Sequence, residues 1–591
     1  MCGICVYIGH DNSASGRVFE GLKKLEYRGY DSWGMAVFSG NRVKVIKRVG
    51  KIHDFSERKN LPKGKITLGH TRWATQGIVS EKNAHPHFSC RGRFVIVHNG
   101  IVENYQDLKR KLTAAGIGSV SETDTEVIVN LLEYEMTKKQ NMVDALISVT
   151  QIIQGRNAFV IFDRVEKTVW AVKGGSPLLL GIGNDGIYVA SDFSPFLAET
   201  KRAVFFENNE LAQVLPGGFR FFSAVDGQQI KKEITFLDYS EEEITKQGFP
   251  HFFIKEVKEQ PGALLTSLKS NLGNIDRAAE LVNNAERIFL CGAGTAGRVA
   301  VLGSQLLSRI AGCFNTAFVA SEFATYLPFF NQKSLLITIS QSGETADTLE
   351  AVEQAKRKGA QILSIVNAAG SSLMRESDWS FPMNAGIEKA VASTKATTTP
   401  IALLTLLAFN MAGQKEKGEV LIKKISFRLA KFLDSDEIEK IKLLAKKIKL
   451  QENIYIIGRG ISYPTALECA IKLQELACVH AEGIAGAELK HYALSLIQKY
   501  VPTIVLVPND ETKAAILGNA AEIKLRGGRI IGIAPENNFL FEEFIKVTDL
   551  GEFGSPILNL VPVQLLAYYL TLERGFDPDY CRNLAKSVTV K

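Results

Sequence analysis

The chain has 591 residues, 46% hydrophobic and 23% charged, with a formal net charge of +7. That is the balance of a folded globular protein, long enough for several domains and more than one core. It holds neither a dense basic stripe with interleaved aromatics nor a run of ~18 apolar residues, so no nucleic-acid or membrane partner is expected.

Lys23, Lys24 and acidic residues precede any apolar stretch, so no signal peptide is expected. The eight cysteines are scattered. Cys2 and Cys5 form a formal C-x-x-C, but no Cys/His partners stand at metal-ligand spacing. A reducing, cytoplasmic setting follows, with no metal and no cofactor expected.

Met1 is followed by Cys2. Loss of Met1 would leave a thiol and an α-amine on one residue. An α-amine with a pKa of about 7.7–8.0 can act as base for its own side chain. Taken alone, Cys2 is more simply a small buried residue near a strand start. Short β-branched runs, parted by turn residues, are predicted as strands at 34–38, 43–49, 66–69, 94–98, 158–162, 168–172 and 186–190. Helices are predicted near 17–25 and 125–136, the second capped by Thr123-Asp124. This texture predicts an α+β layered domain over residues 1–237. Within it, LEYRGYDSWG (25–34) reads as a turn. TRWATQG (71–77) sets Arg72 and Trp73 at a strand end, and HNGIVEN (98–104) sets Asn99-Gly100 after another. SETDTE (121–126) places Asp124 at a helix start. Singly, these are a surface ion pair, a hairpin turn and an N-cap.

Residues 238–250 are polar and end in Gly-Phe-Pro, a linker. Strands then alternate with helices, the pattern of a parallel α/β sheet. The pattern repeats. RIFLCGAGTAGRVA (287–300) matches NIYIIGRGISYPTA (453–466), SLLITIS (334–340) matches PTIVLVP (502–508), and ILSIVN (362–367) matches RIIGIAP (529–535). Two like domains are expected, over 251–430 and 431–576, with a tail at 577–591. The Lys-rich stretch 415–450 between them reads as the solvated face of helices, and 401–409 and 557–572 read as buried core helices. SQSGETADT (340–348) gathers hydroxyls around Gly343 at a helix entry, an anion site or else a serine-rich cap. No G-x-x-x-x-G-K-[ST] nucleotide loop is present. LECAIKLQE (467–475) sets Glu468, Lys472 and Glu475 on one helix face, which alone would be an ion-pair ladder.

Cys2 with the clusters at 71–77, 98–104 and 121–126 resembles the N-terminal-nucleophile glutaminase domain of class II amidotransferases. The segments at 340–348 and 391–396 (VASTKA) resemble the phosphosugar loops of sugar isomerase (SIS) domains. Together with LECAIKLQE, AEGIAGAELKH (481–491) and RNLAKSVTV (582–590), they resemble the glutamine–fructose-6-phosphate aminotransferase (isomerising) family over nearly the whole chain. The resemblance implies a four-layer glutaminase and two SIS domains that convert glutamine and fructose 6-phosphate to glutamate and glucosamine 6-phosphate, the first step of amino-sugar synthesis.

By that resemblance Cys2 attacks the glutamine amide, while the Asn99 side chain and the Gly100 N–H form the oxyanion hole. Arg72 and Asp124 bind the α-carboxylate and α-amine, with Trp73, Thr75 and Gly77 in the covering loop. Ser340, Gln341, Ser342, Thr345, Val391, Ser393, Thr295 and Ala585 bind the sugar phosphate. Glu475 moves a proton between C1 and C2, Lys472 assists, His491 opens the ring from the other subunit of a homodimer, and Lys586 forms an imine. The tail closes over the sugar and helps seal an ammonia path.

The chain departs from the family at Cys291-Gly292-Ala293-Gly294-Thr295, where Thr-Ser usually follows Cys-Gly. It departs also at Tyr492-Ala493 after His491, at Gln76 for a lid His and at Cys581 for a Pro. Two other readings fit the same residues: action on another ketose phosphate, or a sugar-phosphate-binding regulator with a vestigial glutaminase.

Overall fold

The computed structural model describes residues 2–55, 60–239 and 242–589. Met1, residues 240–241 of the expected linker, and Val590 and Lys591 of the tail lie outside the described residues. The chain divides into two compact units, Met1–Ile244 with Ala585–Lys591, and Thr245–Leu584.

Period-two alternation builds the first unit from its first strand, Gly3–Gly9, which is buried on both faces. Ile4, Val6 and Ile8 enter a core between two sheets. On the opposite face the Cys5 sulfur lies under Gly21, where an added Cβ would come within 2.5 Å. Gly21 belongs to the helix Ala14–Leu25, whose Val18, Phe19, Leu22 and Leu25 form its buried stripe. An eight-stranded antiparallel sheet carries Gly3–Gly9 between Ile66–Arg72 and Gly186–Ala190. A seven-stranded antiparallel sheet carries Phe94–Gly100 beside Asn157–Asp163. Helices Tyr105–Ala114, Thr125–Glu135 and Met142–Ile152 cover its outer face through a second core containing Leu108, Val127 and Leu146. The result is four layers: helix, sheet, sheet, helices.

All seven predicted strands appear, with ends shifted by a few residues. LEYRGYDSWG is less of a turn than expected, since Ser32, Trp33 and Gly34 already belong to the strand Ser32–Ser39. Helix Tyr105–Ala114 gives little sequence signal because it buries only Leu108 and Leu112. Asp124 stands at the N-cap of Thr125–Glu135, yet its side chain makes no cap bond.

The second unit holds two five-stranded parallel sheets of matching order. In the first, Arg287–Gly292 lies between Thr316–Val319 and Ser334–Ser340, followed by Gln361–Val366 and Trp379–Pro382. In the second, Asn453–Gly458 lies between His480–Ala485 and Pro502–Leu506, followed by Arg529–Ala534 and Glu543–Lys546. The repeated segments therefore occupy equivalent places. The Lys-rich stretch forms helices Lys415–Leu433 and Glu437–Ile448. These bury Ile422, Ile425, Leu429 and Ile441, Leu444, Ile448 in the core shared by both sheets. Helix Gly551–Glu573 is long and apolar enough to span a membrane, but 89% of its most apolar window is buried, as in a core helix.

Candidate functional site

Strand ends position the first site. Cys2 opens the strand Gly3–Gly9, and Arg72 closes the neighbouring strand Ile66–Arg72. The Trp73 N–H donates to the Cys2 sulfur at 3.4 Å, and the Arg28 Nε–H donates to the Cys2 carbonyl at 3.3 Å. Burial pushes the Cys2 thiol above its ordinary value, so its thiolate requires a base. A small cavity is lined by Cys2, Arg72, Trp73, Thr75, Gly100 and Asp124, together with Gln76, His85, His98, Thr123 and Thr125.

Cation and anion are both fixed there. The buried Arg72 guanidinium donates to the carbonyls of Gln76, Gly77 (3.1 Å) and Ile78 (3.4 Å), which ties the covering loop over it. Gly77 thus acts through its backbone. Buried Asp124 accepts the Val102 N–H at 2.8 Å, which spends only one of its oxygens. Gly100 lies at φ +130, and a Cβ would come within 2.3 Å of the Arg156 carbonyl, so only glycine allows this close approach. Asn99 is 1% exposed.

His85, His98 and Thr125 were not singled out from the sequence, and Thr123 only as part of a helix cap. His98 and His85 both hydrogen-bond Thr125 Oγ1, at 3.0 and 3.1 Å, and His70 stacks on His85 at 4.0 Å. Four of the nine histidines, His70, His85, His87 and His98, are buried in this one region. Their crowding between residues 70 and 98 was the available signal. Burial lowers the pKa of all four, which keeps them neutral.

The second site lies inside the second unit, where the helices Thr295–Ala311 and Ser462–Ala477 meet. Lys472 is fully buried. Its ammonium donates to Glu475 at 2.7 Å and to Thr295 Oγ1 at 3.1 Å, and lies 3.4 Å from Glu468. Thr295 in turn donates to Glu468 at 3.0 Å. The ion-pair ladder is therefore an interior network, and the Thr295 hydroxyl of the divergent loop reaches it while Ala293 and Gly294 supply none. Burial alone would lower the Lys472 pKa, but Glu475 and Glu468 hold it above its ordinary value.

Glu468 is 3% exposed, and its Oε2 has no hydrogen-bond partner among the described residues. Burial pushes its pKa from 4.5 up to about 7. Between those values the folded chain keeps a proton that the unfolded chain has lost, so stability falls as pH rises through this window and levels off above it. Glu468→Gln removes the titration. Denaturant unfolding of this unit across the window is expected to show wild type losing ground to the variant as pH rises; parallel pH profiles would refute this.

In the loop after Ser334–Ser340, Ser340 Oγ accepts the Gly343 N–H at 3.0 Å, and Thr345 stands at the N-cap of Ala346–Arg357 without a side-chain cap bond. Gly343 has φ +64, and a Cβ there would lie 2.2 Å from Ser371 Oγ. The half-buried Gln341, Ser342 and Thr345 surround this turn at the head of a twelve-residue helix, where backbone N–H groups favour an anion. The buried Val391 donates its N–H to the Asp579 carbonyl at 3.2 Å. Ser393 Oγ donates to Glu388 at 3.1 Å. His491 is exposed at the end of the short turn Gly486–Lys490, followed by the half-exposed Tyr492. Ala585 and Lys586 are half-buried and group with the first unit.

Residues 1–249 match a family model described as a glutamine amidotransferase domain, and 281–409 and 447–574 each match the SIS domain. A glutamine–fructose-6-phosphate aminotransferase (isomerizing) of Pyrococcus horikoshii is 41% identical over 606 residues, covering 100% of both chains. One of Thermococcus kodakarensis is 38% identical with the same coverage. Among solved structures, the C-terminal domain of glucosamine-fructose-6-phosphate aminotransferase from Francisella tularensis has a TM-score of 0.52 at 32% identity, covering 57% of this chain and 99% of that one.

Proposed function

The chain belongs to the glutamine–fructose-6-phosphate aminotransferase (isomerizing) family, and on that premise we propose how its residues carry the reaction. The enzyme converts glutamine and fructose 6-phosphate to glutamate and glucosamine 6-phosphate. One observation supports this most. A single chain holds a cysteine cavity flanked by a fixed cation and a fixed anion, and, in its second unit, both a buried lysine held between two glutamates and a hydroxyl-rich loop at a helix N-terminus.

In this reading Met1 is removed and the terminal amine takes the Cys2 thiol proton. The thiolate attacks the glutamine amide carbon, ammonia leaves, and water hydrolyses the thioester to glutamate. Asn99 and the Gly100 N–H stabilise the oxyanion. Arg72 and Asp124 hold the α-carboxylate and α-amine, under Trp73, Thr75 and Gly77. Ser340, Gln341, Ser342 and Thr345 take the phosphate, and Val391, Ser393, Thr295 and Ala585 line the sugar. His491 opens the ring, Lys586 holds the ketose as an imine, and ammonia replaces it at C2. Glu475 removes the C1 proton and returns it to C2, with Lys472 stabilising the charge.

The assignment divides the chain into an amidotransferase domain (1–237), a linker (238–250), two SIS domains (251–430, 431–576) and a closing tail (577–591). A homodimer places His491 at the partner's sugar. Eight scattered cysteines without a disulfide framework suit a cytoplasmic setting. Purified protein given both substrates, without metal or nucleotide, is expected to release glutamate and glucosamine 6-phosphate together. Glutamate without amino sugar would overturn the synthase reading.

A further inference from the structure

The hydrogen bonds around Asn99 decide which way its amide is turned. An amide side chain can present either its oxygen or its NH2 to a reacting carbonyl, and only the NH2 stabilises an oxyanion. Asn99 ends a strand of one sheet, but its amide is held by two residues at the other sheet. His70 Nε2 lies 2.9 Å from the His98 carbonyl and 3.1 Å from Asn99 Oδ1. A carbonyl only accepts, so Nε2 carries the ring proton. His70 Nδ1 is buried with no hydrogen-bond partner among the described residues, as that tautomer requires. The Asn99 atom facing Nε2–H is therefore its oxygen. At the opposite end Asn99 Nδ2 donates to Ser191 Oγ at 2.8 Å, and the same hydroxyl accepts the Ile4 N–H at 2.7 Å. One amide hydrogen is spent on Ser191 and the second is left for the substrate.

We propose that His70 and Ser191 are positioning residues that clamp the Asn99 amide from both ends and fix its NH2 toward the tetrahedral adduct. The clamp links the strand that carries Asn99 to the strands that flank Gly3–Gly9, and so ties the oxyanion donor to the nucleophile's own sheet. Burial drives the His70 pKa down to about 3, so its single N–H persists at neutral pH.

The inference rests on the glutaminase reading. Its test is glutamine hydrolysis by the full chain carrying Ser191→Ala and, separately, His70→Phe, which keeps a ring against His85. Each is expected to lower kcat about 10-fold, less than the 10²–10³-fold of deleting a donor outright, with KM for glutamine unchanged. Because the residues act through Asn99, adding Ser191→Ala to Asn99→Ala should cost almost nothing further. A purely structural role, through the Ile4 bond for example, would cost as much in the Asn99→Ala background as in wild type and would overturn the clamp. Unchanged kcat in both single variants would do the same. A wild-type chain that releases no glutamate overturns the underlying reading and the clamp with it, whereas an active wild type leaves the clamp alone on trial.

Discussion

Cys2→Ala is expected to abolish glutamine-dependent synthesis, with a fall in glutamate release on the order of 10⁴-fold or more, as for loss of a covalent nucleophile. Sugar isomerisation and ammonia-driven amination should persist. The physical grounds are local. The Cys2 sulfur accepts the Trp73 N–H at 3.4 Å and its thiol faces the Trp73 carbonyl at 3.5 Å, while burial disfavours its thiolate, so a nearby base favours deprotonation. The terminal amine is that base in the proposed mechanism. A chain that retains Met1, with the amine tied up in a peptide bond, should then be as inactive toward glutamine as the alanine variant. Mass spectrometry of the N-terminus beside a glutamate assay checks both statements. The selectivity follows because Glu475, Lys472 and Thr295 all lie within the second unit, and the substitution deletes no group there. Loss of every activity together would contradict separate sites, and full glutaminase activity in the presence of Met1 would remove the amine from the mechanism.

Much of this was legible before the fold was known, for definable reasons. The strands of the first unit announce themselves through β-branched alternation, and the duplicated halves of the second through matched strand–turn–helix segments. Helix Tyr105–Ala114 did not, because two buried leucines leave almost no periodic stripe. Cys2, Arg72 and Asp124 carry distinctive chemistry at strand and helix ends, where motifs are visible. His70 and Ser191 are ordinary residues within or beside strands, and their meeting at Asn99 depends on how two sheets face each other, a contact across 29 and 92 residues that spacing does not encode. The helix carrying Glu468, Lys472 and Glu475 shows the opposite failure. Its i, i+3 and i+4 spacing was visible, but a solvated ladder and a buried ion network have the same spacing. Only the burial of Lys472, and the hydroxyl of Thr295 arriving from a strand–helix turn more than 170 residues away, separate them.

Glu475→Gln is the complementary experiment. Amino-sugar formation and proton exchange between C1 and C2 are expected to fall by about 10²–10⁴-fold, the usual contribution of a positioned general base, while glutamine hydrolysis at Cys2 continues. Gln keeps the volume and one acceptor for Lys472, so the fold should survive. Lys472 retains its contacts to Thr295 and Glu468, which limits the cost of leaving a buried ammonium with one carboxylate fewer. Of the two carboxylates beside Lys472, Glu475 is the one a bound sugar can reach: its side chain is 25% exposed and Glu468's is 4%. Glu468→Gln should therefore spare much of the exchange that Glu475→Gln removes. Deuterium wash-in at the sugar carbons, followed by mass spectrometry, reads both variants. If the two lose exchange equally, the roles given to these carboxylates are not separable; if Glu475→Gln keeps exchange within a few-fold of wild type, the proton passes through another group and this assignment falls.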